Sequence, residues 1–599
     1  MNDCIRYTRK WITDYEYIFM IVLIALGLFQ VYRCEYPGLY LDSVNPDYLA
    51  VQILFPQIQN PSMIMPQTGF PMLGQLYHGT VTVWLQLLLI GLSGKASVFT
   101  LRLANMIYVF GICILMYAIL KKLKVSLCVS MMMLFMMVMS PQVFSFVRTQ
   151  YYIKLPGTLF LFISMYFLIE MCTKKKSAWC LILSGFFCGL AFYSYFIYLF
   201  FVPAMLVLCA VCSSIDEKMK NSLVWIFGFC NGAVLYGLGY MDLMITEKLK
   251  WSKNIVNVAD FIIIIVGWVF LFFIARNYNK TKKLIFIILL AVLLLSLLIA
   301  AKIGSVLEIL LPWLNSLQIA GESMNFVQRV KHLFFLWQGV LNNRFSEGLM
   351  LNFSSSILSD FFIAVLFIET IGVFAICLIK KKKDILYKFI VFLLFMQVSY
   401  AAISILFISR MGGQHFTPMF FLGFFMLIVE CDYLISTVKC FWYRTANVIL
   451  ILTVFLVNIA NTSLLDTNLD MSGGSKMFTS QINEMADCAL KNKKHGIKEV
   501  YVFPEWGFLC GFNYLTMNQV HIMTNMDTSR LNQYIADGYR IKVCLWKKDN
   551  IGQYLSDLED AGIGNLIVQG EETKTEMEGF YMIEQEMERP VKETHAYGK

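Results

Sequence analysis

Long apolar runs alternate with short basic clusters along most of the 599-residue chain. The runs are roughly 18–22 residues long, enough for a helix to cross a hydrocarbon layer about 30 Å thick, and they predict about thirteen transmembrane helices. The predicted spans are 16–33, 98–120, 125–141, 155–172, 177–195, 196–212, 223–243, 260–276, 284–303, 359–379, 386–408, 417–438 and 445–463.

The basic clusters predict how these helices are oriented, because Lys and Arg concentrate in the cytoplasmic loops of membrane proteins. If every cluster lies in the cytoplasm, two predicted spans separate each cluster from the next, as a chain that crosses the membrane and returns requires. The N-terminus is then inside, behind an uncleaved signal anchor, and the chain after about residue 464 is outside. The clusters are KKLK (121–124), TKKK (173–176), DEKMK (216–220), NKTKK (279–283), KKKK (380–383) and KCFWYR (439–444).

Three long segments fall outside in this topology: a loop at about 34–96, a loop at about 304–357, and the C-terminal tail. In the tail, short β-type runs alternate with helical patterns, which predicts a small α/β layer. The predicted strands are 498–503, 520–525, 539–547 and 564–569, and the predicted helices are 474–492, 528–538 and 551–562. We therefore divide the chain into a membrane domain (1–465) and an extracytoplasmic α/β domain (466–599).

The composition agrees with this class. The residues are 58% hydrophobic and 15% charged, with a mean hydropathy of +0.64, whereas a soluble domain is about 45–50% apolar and about 25% charged. The net charge of +9 comes from helix-end clusters and implies no nucleic-acid partner. A Walker-type glycine loop is absent from the sequence, which counts against ATP-driven transport. Most cysteines lie in spans or near the inside, so we expect neither a disulfide framework nor a zinc site.

Two carboxylates follow the first span directly. The stretch YPGLYLDSVNPDYLAVQIL (36–54) holds Asp42 and Asp47 between a Pro-Gly turn and an Asn-Pro turn. Asp favours turns in any loop, so either residue could simply solvate the chain. Asp42, however, lies just beyond a transmembrane end among aromatic and apolar neighbours. An ionisable residue at that depth is a candidate functional residue.

The order of motifs resembles the polytopic glycosyltransferases of the C superfamily, and most closely the family-39 type, which includes protein O-mannosyltransferases and the lipid A aminoarabinose transferase. Ser43 stands where that family usually has Glu, and Ile153 and Lys154 stand where some relatives carry an acid. The matching elements are Pro37, Gly38, Leu39, Tyr40, Asp42 and Tyr48, then LYHG (76–79), a Ser-Pro followed by Arg148, and Arg410 before a span that begins with Pro.

The resemblance implies a C-superfamily-like polytopic helical fold and an inverting transfer of a single sugar. The donor would be a polyprenyl-phosphate sugar, and the acceptor a protein, a cell-wall polymer or a lipid outside the cytoplasm. Asp42 would be the general base that takes the proton of the acceptor hydroxyl, with Asp47 as its helper. Tyr40, Tyr48 and His78 would line the acceptor pocket.

Cations must hold the leaving phosphate, and Arg suits it because its guanidinium binds two oxygens at once. Arg410 is the first candidate. The alternative is that Arg410 only lies at the membrane boundary and extends its side chain to the lipid headgroups. Arg148, Lys154 and His415 are further candidates, and for Arg148 and Lys154 an interface anchor is an equal alternative. We expect no cofactor, since a monophosphate donor does not need the Mg²⁺ of nucleotide-sugar enzymes. A divalent ion between Asp42 and Asp47 is a less favoured alternative.

Two other classes stay open. A transporter or flippase of a lipid-linked sugar usually shows internal repeats and charges at mid-membrane, whereas here the mid-span regions are almost free of charge and no repeat is seen. A non-catalytic envelope-assembly protein would fit the missing acid at Ser43.

Arg102 is expected to be structural, and the stretch around Arg329, Lys331 and His332 predicts an interfacial helix. We expect a multi-pass protein of a bacterial plasma membrane.

Overall fold

The computed structural model describes residues 2–32, 35–64, 70–173, 178–213, 217–246, 324–354, 356–380, 384–407, 411–572 and 578–585. Two predicted spans, 260–276 and 284–303, lie outside these ranges, as does Arg410.

Each of the other predicted spans coincides with a helix. Among the described residues, seven helical segments are long and apolar enough to cross a membrane, and the other predicted spans within these ranges fall on shorter apolar helices. The helices are α1 (Asn2–Val31), α2 (Leu41–Val44), α3 (Leu49–Leu54), α4 (Val81–Ser93), α5 (Val98–Lys122), α6 (Leu127–Val138), α7 (Pro141–Phe146), α8 (Leu155–Thr173), α9 (Ala178–Ser194), α10 (Val202–Cys212), α11 (Lys218–Thr246), α12 (Phe326–Leu341), α13 (Arg344–Leu351), α14 (Phe361–Lys380), α15 (Ile385–Phe407), α16 (Thr417–Thr437) and α17 (Phe441–Ser472).

Helices α9 and α11 pack with their backbones in direct contact. The contact is made at glycines that are spaced four residues apart within each helix. A Cβ atom on Gly189 would lie 2.1 Å from the carbonyl oxygen of Phe229, and one on Gly232 would lie 2.0 Å from that of Phe186. In a lipid environment, close van der Waals packing at small residues drives helix association. This pair therefore forms a rigid wall of the helical part.

Carboxylates do occur within the spans, which corrects the expectation that the mid-span regions are almost free of charge. Glu369 of α14 accepts two hydrogen bonds from the Asn447 amide, at 2.8 and 2.9 Å, and Glu430 of α16 accepts one from Thr370 at 2.8 Å. Both carboxylates are buried. Their contacts join three helices, α14, α16 and α17, as interhelical hydrogen bonds do in membranes.

One pair of cysteines contradicts the expectation of unpaired thiols. Cys172 near the end of α8 and Cys212 at the end of α10 form a disulfide. The predicted topology places both residues near the cytoplasmic side, where a disulfide is unexpected. Sequence spacing does not reveal that these two helix ends meet.

The first loop, residues 35–64 and 70–96, folds into short elements. It contains α2, α3, a hairpin of β1 (Leu73–Gln75) and β2 (His78–Gly79), and α4. Two cis peptide bonds, Tyr36–Pro37 and Asn45–Pro46, flank Asp42 on its two sides. The predicted interfacial helix is α12, which presents Phe326, Val327, Phe334 and Phe335 on its exposed face.

The C-terminal unit, residues 476–572 and 578–585, contains the predicted strands and helices and two unpredicted elements, α19 and β7. Its five strands form a mixed sheet in the order β4-β3-β5-β7-β6, with β3 parallel to β4 and β5, and β7 antiparallel to β5 and β6. The elements are α18 (Gln481–Lys494), β3 (Glu499–Val502), α19 (Leu509–Leu515), β4 (His521–Met523), α20 (Thr528–Ala536), β5 (Arg540–Lys547), α21 (Ile551–Asp560), β6 (Leu566–Glu572) and β7 (Glu578–Gln585).

Candidate active site

Asp42 sits in the first turn of α2, and its position is fixed by its immediate neighbours. The Tyr40 hydroxyl donates to Oδ2 of Asp42 at 2.7 Å. Ser43 forms a reciprocal cap with the Tyr40 backbone, accepting from its N–H at 3.0 Å and donating to its carbonyl at 2.7 Å. The residue that replaces the usual Glu thus holds the turn that presents Asp42.

Arg102, from the helical side, holds the chain segment that precedes Asp42. This is a structural role, as expected for Arg102. Arg102 is fully buried in α5 and donates to the carbonyl of Tyr36 at 2.8 Å and to that of Pro37. Guanidinium groups suit such paired acceptors because their donors are fixed in a plane.

The C-terminal unit holds the same segment from the opposite side. The Gly38 N–H donates to the Phe478 carbonyl at 2.7 Å. A Cβ atom at Gly38 would lie 1.9 Å from the Thr479 carbonyl oxygen, so this close approach requires glycine. The Tyr40 ring lies 4.7 Å from that of Phe478 and meets Trp506 edge-on at 5.2 Å between centroids. The unit therefore covers the turn that carries Asp42.

Lys154, at the end of the 3-10 helix Gln150–Lys154, lies in the same cluster. It is buried, and its ammonium lies 4.5 Å from the centre of the Tyr195 ring. The Tyr195 hydroxyl is 3.0 Å from Nε2 of His415, and its ring stacks on that of His78 at 5.9 Å. The structure thus brings together Lys154, His415 and His78, three of the predicted site residues.

Electrostatics link Lys154 to Asp42. Burial raises the pKa of Asp42 above its ordinary value, while the Tyr40 hydrogen bond and the positive charge of Lys154 act to lower it. Burial also lowers the pKa of His78 to about 4. Burial lowers the pKa of Lys154 to about 7, and the Asp42 charge acts to raise it. At neutral pH the cluster therefore contains a neutral His78 and a Lys154 that is partly protonated.

Asp47 has a different environment from Asp42. It is fully buried between α2 and α3, and neither of its carboxylate oxygens meets a hydrogen-bond partner in the part of the chain that the structure describes. Burial raises the pKa of Asp47 to about 7, and the nearby side chains of Thr82 and Gln86 offset only part of this effect. The two acids therefore do not share one environment.

Two predicted residues make contacts elsewhere. Arg148 is buried and donates to the carbonyls of Gln30 at 2.6 Å and Phe144 at 3.2 Å, while its guanidinium lies over the Phe144 ring. Tyr48 is buried, and its hydroxyl accepts from the N–H groups of Met63 at 2.5 Å and Ile64 at 3.2 Å. Both residues stabilise the surrounding backbone. Arg410, the first candidate for the phosphate, lies outside the described residues.

Three aromatic residues of the site were not assigned from the sequence. Tyr195 contacts Lys154 and His415, Trp506 contacts Tyr40, and Tyr77 lies beside His78 at 5.0 Å. Tyr77 belongs to the LYHG element, so a signal for it existed. Tyr195 and Trp506 lie in aromatic stretches that also occur in ordinary cores. Within the described ranges, the side chains of His, Cys, Asp and Glu form no group of three suited to a metal ion.

Fold and site together define a polytopic helical membrane protein whose first loop presents a carboxylate beside a buried lysine, beneath an α/β unit. Residues 77–236 match the family model of dolichyl-phosphate-mannose-protein mannosyltransferases. This match confirms the resemblance that the motifs predicted and supports the glycosyltransferase class. It includes His78, Lys154 and Tyr195, whereas Asp42, Asp47 and His415 lie outside the matched range. No curated protein matches the sequence.

Solved structures of membrane glycosyltransferases resemble the chain at low identity. ArnT from Cupriavidus metallidurans, bound to undecaprenyl phosphate, is 10% identical over 96% of this chain and 98% of its own, with a TM-score of 0.47. The Archaeoglobus fulgidus oligosaccharyltransferase is 11% identical over 93% of this chain and 72% of its own, also with a TM-score of 0.47. The S. cerevisiae protein O-mannosyltransferase complex, bound to the sugar donor, is 15% identical over 38% of this chain and 33% of its own, with a TM-score of 0.27. At these values, the similarities carry no argument about individual residues.

Proposed function

We propose that this protein transfers a single sugar from a polyprenyl phosphate to an acceptor on the outer face of a bacterial plasma membrane, with inversion at the anomeric carbon. The observation that carries the proposal is that one aromatic cluster holds Asp42 through the Tyr40 hydroxyl and Lys154 over the Tyr195 ring, next to helices that can cross a membrane. A base and a cation are the two groups that this reaction needs.

In the proposed reaction, the acceptor oxygen bonds to the anomeric carbon while its proton passes to the Asp42 carboxylate. The bond between the anomeric carbon and the phosphate oxygen breaks, and its electron pair leaves with the polyprenyl phosphate. Positive charge placed where the leaving group gains negative charge lowers the barrier. Lys154 would supply that charge, together with Arg410 on the basis of its sequence position, so that no metal cofactor is needed.

The other residues have supporting roles in this proposal. His415 and His78 keep the Tyr195 ring in place beneath the Lys154 ammonium, and Tyr40 orients Asp42 for the acceptor. Asp47, buried within the first loop, would act on the turn rather than on the substrate. The buried contacts of Arg148 and Tyr48 favour bracing roles for these two residues. A protein, a cell-wall polymer and a lipid remain the candidate acceptors.

The test uses purified protein in lipid nanodiscs, a panel of synthetic polyprenyl-phosphate sugars, and delipidated envelope extract as the acceptor. Mass spectrometry follows the release of free polyprenyl phosphate. We expect release with one sugar and a loss of about 10²–10⁴-fold for Asp42→Asn, which removes the base. Asp47→Asn is the matched control, since it makes the same carboxyl-to-amide change five positions further along.

The outcomes separate the alternatives. An inactive Asp47→Asn variant with an active Asp42→Asn variant would move the base to Asp47. Binding of a donor without release of polyprenyl phosphate would favour transport or envelope assembly over transfer.

A further inference from the structure

Trp506 is a large apolar side chain that remains exposed next to the candidate active site. It belongs to the C-terminal unit, where its residue is 49% exposed. Its ring meets that of Tyr40 edge-on at 5.2 Å, and the Tyr40 hydroxyl donates to Asp42. Tyr40 therefore lies between the exposed indole of Trp506 and the proposed base, Asp42.

The loop that carries Trp506 is firmly held, so the exposed ring has a defined position. The Trp506 carbonyl accepts from the Trp546 indole N–H at 2.9 Å. The preceding Glu505 carboxylate accepts from the backbone N–H groups of Trp546 at 2.8 Å and Lys547 at 3.1 Å, and from the Asn550 amide. A rigid aromatic side chain binds a ligand at little cost in conformational entropy.

Two residues near Asp42 mark where the donor and the acceptor would bind. Lys154, the proposed phosphate ligand, lies over the Tyr195 ring, whereas Trp506 contacts Tyr40, which donates to Asp42. In an inverting displacement, the acceptor oxygen attacks the anomeric carbon on the face opposite the leaving phosphate, and the base contacts that acceptor hydroxyl. With the donor phosphate at Lys154, the acceptor would bind on the opposite face of the anomeric carbon, next to Asp42 and the contact between Tyr40 and Trp506.

On this basis, we propose that Trp506 forms an acceptor subsite, and that its ligand is a carbohydrate. A pyranose ring offers a flat face of C–H groups that packs on an indole, while its hydroxyls stay free to reach Asp42. The inference rests on the proposed function, because it names the acceptor class of that same site.

A carbohydrate fits this place better than an extended peptide. An extended peptide commonly binds by adding a strand to a free sheet edge. The edge strand β4 pairs with β3, the strand that precedes Trp506. Asn60 of the first loop already occupies β4, because it accepts from the Ile522 N–H at 3.0 Å and donates to the Val520 carbonyl at 2.8 Å.

The test measures acceptor and donor dependence separately in nanodiscs. The probes are a delipidated envelope glycan fraction and, in parallel, a pool of Ser- and Thr-containing peptides. Donor turnover to water, without acceptor, reports on the donor site alone. For Trp506→Ala, we expect the half-saturating glycan concentration to rise at least 10-fold, a larger change than that of the turnover to water. Trp506→Phe keeps an aromatic face, so its half-saturating glycan concentration should lie between those of the wild type and of Trp506→Ala.

Trp442→Ala is the matched control, since Trp442 is 77% exposed at the start of α17, in the cluster KCFWYR that the sequence predicts to be cytoplasmic. An unchanged glycan dependence in both Trp506 variants would overturn the inference, as would saturation by the peptides and not by the glycans. Wild-type protein that turns over none of the donors would instead contradict the proposed function itself. If Trp506→Ala fails to fold, the Trp506→Phe variant decides, because a smaller ring should still raise the half-saturating concentration measurably.

Discussion

The Tyr40 hydroxyl donates a 2.7 Å hydrogen bond to Oδ2 of Asp42. This bond favours the ionised carboxylate, and so does the charge of Lys154, while burial opposes both. A general base is active only when it is ionised. Tyr40 therefore helps to set the pH above which the proposed reaction can run.

Tyr40→Phe tests this role of the hydroxyl. Removing the hydrogen bond takes away an influence that lowers the pKa of Asp42, so this pKa rises further. Activity is lost as pH falls through the pKa of the base, and the acid limb of the kcat/KM profile should therefore move to higher pH. Rates at the alkaline plateau should fall much less than rates in acid.

Tyr193→Phe serves as the control for this profile, because the Tyr193 hydroxyl donates to the Met72 carbonyl at 2.7 Å and not to Asp42. An acid limb that stays in place in Tyr40→Phe would show that Asp42 is not the group that titrates.

Arg102→Met tests whether the buried arginine positions the Asp42 turn. The change leaves the Tyr36 and Pro37 carbonyls without these donors, and an unsatisfied buried polar group costs about 1–3 kcal/mol. Because a 1 Å misplacement of a reacting group can cost about 10²-fold in rate, we expect kcat to fall while the KM for donor changes little. Thermal unfolding in detergent and donor kinetics measure the two effects.

The control is Arg344→Met, which breaks a half-exposed ion pair with Asp360 at 3.2 Å. Exposed pairs contribute only about 0–1 kcal/mol. Equal effects of the two substitutions, or a loss confined to KM in Arg102→Met, would contradict a positioning role for Arg102.

The sequence predicted those features that are encoded locally. Apolar runs predicted every span in the described residues, because a lipid environment requires apolar side chains over a fixed length. The turn around Asp42 was found because its Pro, Gly, aromatic and acidic residues lie within one short stretch. The same holds for the strands and helices of the C-terminal unit, apart from α19 and β7.

Contacts between distant parts of the chain could not be predicted in this way. Neither the meeting of Tyr40 with Trp506 nor the disulfide between Cys172 and Cys212 leaves a pattern in the sequence near either partner. Arg148 and Lys154 also could not be separated, since both are basic residues near the same helix ends. Only packing shows that Arg148 contacts backbone carbonyls and that Lys154 contacts Tyr195.

Asp47→Asn should change how stability depends on pH. Burial raises the pKa of Asp47 to about 7, above the value of about 3.9 expected in the unfolded chain. The folded state then binds more protons between these two values, so stability falls as pH rises through this window and levels off above about 7. The variant lacks this titration. Its apparent unfolding temperature should fall less than that of the wild type between pH 5 and pH 7.5, and parallel curves would contradict the buried, titrating Asp47.

Gly232→Ala tests the direct contact between the backbones of α9 and α11. The added methyl group would lie 2.0 Å from the Phe186 carbonyl oxygen, so the two helices must separate. Overpacking of this kind costs about 1–3 kcal/mol, and we expect a lower unfolding temperature in nanodiscs. Gly237→Ala is the matched control in the same helix, where an added Cβ meets nothing within 4 Å. Because Ala favours helix over Gly by about 1 kcal/mol, the control should be neutral or slightly stabilising. If both variants behaved alike, the contact between α9 and α11 would not be the one described.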